Sequence, residues 1–223
     1  MRNVNDTLVY DSLEELVDSS HTAVIAVDIQ NDFCHPEGHF AKAGKDISSV
    51  EAALPGMVDF VNKARHAGLR TVFLRQATLP NGASDSPAWL RFKTRDGKSP
   101  EYTLQGSWGW QLVDGLEPGP RDWVIDKFRP DGFIGTPLDL VLRAAGIETV
   151  ILLGTTTEGC LESTVRAASY HDYYVVIVEE GTASPNALNH EGSMNFFRAR
   201  YPVHSGDEIL NAVAAAKKVK TND

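Results

Sequence analysis

Cysteine is scarce in this chain: Cys34 and Cys160 are the only two in 223 residues. No disulfide framework and no multi-cysteine zinc site can be built from them, and such sparse thiol usage suits a reducing cytoplasm. Clusters of cationic residues are missing as well, and the net charge is −9, which excludes a nucleic-acid surface. No apolar run reaches the length of a membrane-spanning helix, and the opening Met1-Arg-Asn-Val-Asn-Asp6 is too polar for a signal peptide. The expectation is a cytoplasmic protein with neither nucleic acid nor membrane as partner. The first strand-like run lacks a glycine-rich turn after it. Gln30-Asn-Asp-Phe-Cys34 stands there instead, which argues against a nucleotide-binding oxidoreductase. Repeats and low-complexity tracts are absent too.

What is present fits a soluble enzyme. With 42% hydrophobic and 23% charged residues, the chain can bury a full core as one domain over residues 1–223. Strand and helix signals alternate along it. Strands are expected over 22–29, 70–75, 123–127, 148–153 and 174–179. Helices are expected over 10–17, 50–67 (with Pro55 near its start), 137–145 (N-capped by Thr136), 161–173, 194–201 and 207–217. That alternation predicts an α/β fold, a doubly wound, Rossmann-like and mainly parallel sheet of about six strands with helices on both faces. Residues 1–20 read as an N-terminal extension carrying a short helix. Residues 77–120 break the alternation, and their length, with Trp89, Trp108 and Trp110, marks a pocket wall and subunit contact.

Three strand ends carry chemistry. Glu148-Thr-Val-Ile-Leu-Leu-Gly154 is a buried-strand run, and Gly154-Thr-Thr-Thr-Glu-Gly-Cys160 hands it over to a helix. Cys160 therefore sits at a helix N-terminus, where free amides and the helix dipole favour a thiolate and lower the thiol pKa. The alternative is a small cysteine that fills a strand-helix junction. Thr22-Ala-Val-Ile-Ala-Val-Asp28 ends in a carboxylate, and Asp122-Trp-Val-Ile-Asp-Lys127 ends in an ammonium. In an open parallel sheet such ends face one crevice. There a carboxylate can take the thiol proton and return it to a leaving amine, while the ammonium balances the negative charge.

Val27-Asp-Ile-Gln-Asn-Asp-Phe33, Asp126-Lys-Phe-Arg-Pro-Asp-Gly-Phe133 and Gly154 to Cys160 resemble, in order and spacing, the three signature segments of the isochorismatase-like cysteine hydrolases. The likeness runs over roughly residues 22–211. It implies a catalytic triad of Asp28, Lys127 and Cys160, a cis peptide between Thr155 and Thr156, and an oxyanion hole from the amides of Thr156 and Cys160. It also implies no cofactor and a homodimer or homotetramer. Gly106-Ser-Trp-Gly-Trp110 with Cys160-Leu-Glu-Ser-Thr164 is similar to the ureidoacrylate amidohydrolase and related ureide-hydrolase branch, which implies a small amide or ureide as substrate. The alternatives are vinyl-ether cleavage, as in isochorismatase itself, and a catalytically idle scaffold.

Several other residues are candidates. Nicotinamidase-type members of the family hold a metal through an Asp-x-His element after the second strand. Here Phe73-Leu-Arg-Gln-Ala-Thr-Leu-Pro80 has no histidine, so no metal is expected. His35 and His39 have a zinc-like spacing, but Pro36 and Gly38 make their segment a loop. Arg75 ends a strand beside Asp28 and Lys127, where its guanidinium would grip a substrate carbonyl or carboxylate, or else pair with a loop acid. Gln30, Asn31, Phe33, Trp108, Trp110 and Glu158 flank the motifs as pocket candidates. Arg129 reads as a structural contact, and Cys34, with no base beside it, as a packing residue.

Overall fold

The computed structural model describes residues 1–94 and 101–220. The chain opens with β1 (Arg2–Val4), β2 (Thr7–Val9) and the one-turn helix α1 (Leu13–Leu16). Next come β3 (Thr22–Val27), α2 (Asn31–Cys34), α3 (His39–Lys42), α4 (Ser48–His66), β4 (Arg70–Gln76), α5 (Pro87–Lys93) and β5 (Trp123–Lys127). The rest is α6 (Leu138–Ala144), β6 (Thr149–Thr155), α7 (Glu162–Tyr170), β7 (Tyr174–Ala183), α8 (Ala187–Arg200), β8 (Val203–His204) and α9 (Gly206–Lys220).

Strands β3 to β8 form one six-stranded sheet in the order β5-β4-β3-β6-β7-β8, every pair parallel. From β3 the chain winds outward to β5, then returns to the other side of β3 and winds out to β8, so the winding reverses between β3 and β6. Helices cover both faces. Val24 and Ala26 of β3 pack with Val61 of α4 and Ile209 of α9, while Ala23, Ile25 and Val27 pack with Leu142 of α6 and Val165 of α7. Burial on both faces is why β3 reads as a continuous apolar run rather than an alternating one.

The strand-helix alternation was legible, and the differences lie mostly at element ends. The helix expected over 10–17 is only Leu13–Leu16, held by a capping box between Ser12 and Glu15. Tyr10 instead stacks on His21 and donates its hydroxyl to Glu148 at 2.8 Å. The hairpin β1-β2 was not anticipated, because its strands are too short to show a period; its turn uses Asn5 and Asp6 at φ 49 and 63. The helix expected over 194–201 begins at Ala187, where the Asn186 side chain accepts the Asn189 N–H. The helix expected from residue 161 begins as a π-helical turn, Thr157–Leu161, and continues as α7. Pro55 lies inside α4 rather than near its start, since that helix begins at Ser48. Within the 77–120 segment, the described residues form α5 and a 3-10 turn at Pro80–Gly82, and residues 95–100 lie outside them.

One glycine decides how closely β6 can approach β3 beside the strand ends. Gly154 has φ 129, and a Cβ there would stand 2.0 Å from the Val27 carbonyl oxygen. Gly154→Ala should therefore lower stability by about 2–6 kcal/mol, from strain plus overpacking. Gly192 lies in α8 with open space around it, so Gly192→Ala should raise stability by about 0.5–1 kcal/mol. Urea denaturation of both variants checks the pair, and a Gly154→Ala protein as stable as the parent would contradict the packing.

Candidate active site

The site lies beyond the carboxyl ends of β3, β4, β5 and β6, where the sheet reverses its winding. Asp28 follows β3 in a left-handed conformation, φ 52, which aspartate tolerates better than most residues. Its amide still donates to the Leu74 carbonyl at 3.0 Å, and its own carbonyl accepts the Thr155 hydroxyl at 3.1 Å. The residue is thus tied to the strands on either side.

Lys127 reaches Asp28 across a whole strand. It ends β5, and β4 lies between β5 and β3, so the long lysine stem passes over β4 to set Nζ 2.8 Å from Asp28 Oδ2. Both side chains are fully buried. Nζ also donates to Gln76 Oε1 and to the Arg129 carbonyl, each at 3.2 Å. Gln76 completes the arrangement, its amide N–H donating to Asp28 Oδ1 at 2.8 Å. Burial works against the Lys127 charge, but Asp28 and Cys160 outweigh it and hold the ammonium above the usual lysine range.

Cys160 completes the group from the π-helical turn after β6. Its thiol lies close enough to Asp28 and Lys127 to feel both charges. Its carbonyl accepts the Thr164 hydroxyl at 2.7 Å, and the same hydroxyl oxygen accepts the Gly132 N–H at 3.1 Å. This fastens the cysteine turn to the segment that follows Lys127. Burial and the Asp28 carboxylate push the thiol up to about 12, against the pull of Lys127. The sequence expectation was a lowered pKa, from the helix end and with Lys127 helping to hold the thiolate; burial and the adjacent carboxylate act in the opposite direction. Cys34 is a separate case. It is buried on the α4 face of the sheet, and burial pushes its thiol up to about 12.

Cys160, Thr156, Glu158 and Phe33 all face one cavity of about 560 Å³, and the Thr155–Thr156 peptide is cis. The other pocket candidates are not among its lining residues. Gln30 is buried and donates to the Gln76 and Trp110 carbonyls, and Asn31 donates to the Trp108 carbonyl; they pin loops rather than face the cavity. Arg75 pairs with Asp126 at 2.9 Å and lies over the Trp110 ring, 3.6 Å from its centroid. Its charge is spent there, because side chains alternate along β4 and Arg75 points away from the Gln76 side. Trp108 is half exposed and meets His35 edge-on. Arg129 donates to the Ser84 and Phe128 carbonyls. His39 packs its ring on Tyr102, and no group of three metal-ligating side chains occurs among the described residues.

The 77–120 segment supplies a wall of this cavity that was not read residue by residue: Trp89, Phe92, Lys93 and Tyr102. Lys93 is fully buried, its Nζ 3.1 Å from both Asp85 Oδ2 and Thr78 Oγ1. Gln76 was missed as well, because only the pairing of β4 with β5, which sets it opposite Lys127, singles it out. A second cleft of about 610 Å³ lies at the other ends of the strands, beside Arg70 and Asp122. It holds no nucleophile, and its Arg65 is paired with Asp122 at 2.8 Å, so chemistry rather than volume selects the site.

A partly buried thiol thus borders the cavity beside a fully buried carboxylate-ammonium pair. The isochorismatase domain model matches residues 22–208. The chain belongs to the isochorismatase family. It is 34% identical over 189 residues to the ureidoacrylate amidohydrolase RutB of Methylorubrum extorquens, covering 79% of this chain and 76% of that one. Among solved structures, a cysteine hydrolase from Pseudomonas syringae pv. phaseolicola superposes with a TM-score of 0.79 at 23% identity, over 90% of this chain and 96% of that one. The N-carbamoylsarcosine amidase of Thermoplasma acidophilum gives 0.65 at 26% identity, over 84% and 97%. The six-stranded parallel sheet with helices on both faces is the isochorismatase-like hydrolase fold.

Two outcomes follow from this geometry. Lys127→Met leaves a buried carboxylate without its counter-charge and should cost about 3–5 kcal/mol of stability. Adding Asp28→Asn should recover most of that loss in urea denaturation, and a single variant as stable as the parent would contradict the buried pair. In the resting enzyme, iodoacetamide should label Cys160 slowly at neutral pH and faster as pH rises toward about 12. Fast labelling near neutrality would show that the dipole prevails after all.

Proposed function

We propose that this chain hydrolyses a carbon-nitrogen bond in a small amide or ureide through a thioester on Cys160. The reading rests on one observation above the others: the Cys160 thiol, which lines the cavity, stands within reach of the hydrogen-bonded pair of Asp28 carboxylate and Lys127 ammonium. Kinship with proteins named ureidoacrylate amidohydrolase and N-carbamoylsarcosine amidase supports the bond type.

With the resting thiol held neutral, the nucleophile forms only as it reacts. Asp28 takes the Sγ proton as sulfur attacks the carbonyl carbon, and Lys127 keeps a positive charge beside the pair throughout. The amides of Thr156 and Cys160, at the cavity wall, stabilise the tetrahedral oxyanion. Asp28 then gives its proton to the departing ammonia or amine, leaving the thioester. Water, deprotonated by the same carboxylate, attacks the thioester and releases the acid with the thiol restored. Asp28 carries one proton in each half of the cycle, first the thiol's, which leaves with the amine, and then the water's, which returns to sulfur, and no step needs a metal.

Ammonia release from a panel of small amides and ureides tests the reading. Cys160→Ala and Cys160→Ser should abolish release, by at least about a thousandfold for loss of a nucleophile, with the circular dichroism spectrum unchanged. Cys34→Ala should retain activity, because that thiol packs on the far face. A Cys160→Ala enzyme that kept most of its turnover would remove the covalent route.

A further inference from the structure

Glu158 lines the cavity two positions before Cys160. Its Oε1 accepts the Ser184 hydroxyl at 2.9 Å, and Ser184 Oγ itself accepts the Asn186 N–H at 3.0 Å. The Ser184 proton is therefore committed to Glu158, which fixes the direction of the whole relay. The second carboxylate oxygen, Oε2, is buried and has no hydrogen-bond partner among the described residues. A buried carboxylate oxygen left without a donor is costly. The buried cation of the same cavity is already matched, since Lys93 pairs with Asp85 and Thr78. Lys45, the other ammonium of the wall, lies over the Phe40 ring, and the unmet demand at Glu158 is for a hydrogen-bond donor.

We propose that Glu158 Oε2 receives an N–H group of the substrate. This rests on the ureide reading above and narrows it to ureides with a second amide or carbamoyl NH2 beyond the scissile carbonyl. A substrate that ends there in a methyl group leaves the carboxylate desolvated and unpaired. A polar site of this kind rejects the analogue that lacks the donor far more strongly than an apolar pocket rejects a change of shape.

Biuret and acetylurea have the same heavy-atom shape and differ in a terminal NH2 against CH3, so they isolate the term. Calorimetry on Cys160→Ala separates binding from turnover. Biuret should bind at least about tenfold more tightly than acetylurea. In Cys160→Ala with Glu158→Gln, the Ser184 hydroxyl holds the amide carbonyl and turns its NH2 to the cavity. The preference should then vanish or invert. Equal affinities before the second substitution, an unchanged ratio after it, or no binding of either probe would overturn the assignment. If the double variant fails to fold, the ratio of kcat/KM for the two probes in the parent enzyme decides, and parity overturns it. Ammonia release reports separately on the hydrolase reading. Selective binding of biuret without ammonia would sink that reading and leave Glu158 in place, whereas ammonia without selectivity would do the reverse.

Discussion

The buried pair of Asp28 and Lys127 is the constraint on which the rest of the site depends. Two ions taken from water cost several kcal/mol each unless nearly every lone pair and proton is met. Here one carboxylate oxygen takes the ammonium and the other takes the Gln76 amide, while the remaining ammonium protons go to Gln76 and the Arg129 carbonyl. That accounting holds only if β3, β4 and β5 end in register. The sheet order is therefore part of the chemistry, because the lysine stem must cross β4 to reach its partner. The same pair holds charge of both signs next to the Cys160 thiol, so the proton that leaves sulfur has an acceptor already in place.

The cavity above the pair is built from unrelated parts of the chain. The loop after β3 gives Phe33, the segment between β4 and β5 gives Lys93 and Tyr102, the cysteine turn gives Glu158, and the end of β7 leads to Ser184. Burial, with Cys160, Asp85 and Asp28 nearby, pushes the Tyr102 phenol up, so the tyrosine stays a neutral donor in this wall. Polar side chains on the wall are mostly paired with one another, as Lys93 is with Asp85. Such pairing holds shape without asking for an ionic ligand, and it leaves the few unmatched atoms to discriminate.

Reading the sequence reached the fold and the three strand-end residues that meet at the site because both are written locally. Apolar β-branched runs announce strands, and a charged or thiol-bearing residue at the end of such a run announces a site in an open parallel sheet. The pocket wall was harder. Arg75 and Gln76 are neighbours on one strand, and nothing in their identities says which points to the cleft. The register with β5 decides it, giving Gln76 to Lys127 and Arg75 to Asp126. Gln30, Asn31, Trp108 and Trp110 lie beside the motifs, yet their hydrogen bonds and packing tie loops together.

The sequence by itself determined the α/β class, the residues at three strand ends and the bond chemistry they suggest, since each is a property of a short segment and its period. Only the tertiary structure decided the surroundings of the Cys160 thiol. A helix N-terminus lowers a thiol pKa when it acts alone, but desolvation and the Asp28 carboxylate push that of Cys160 up to about 12. Desolvation and the distance to a charge from another strand are facts of packing. They are absent from any stretch of the chain read on its own, and they arise only when β3, β5 and β6 meet at one end of the sheet.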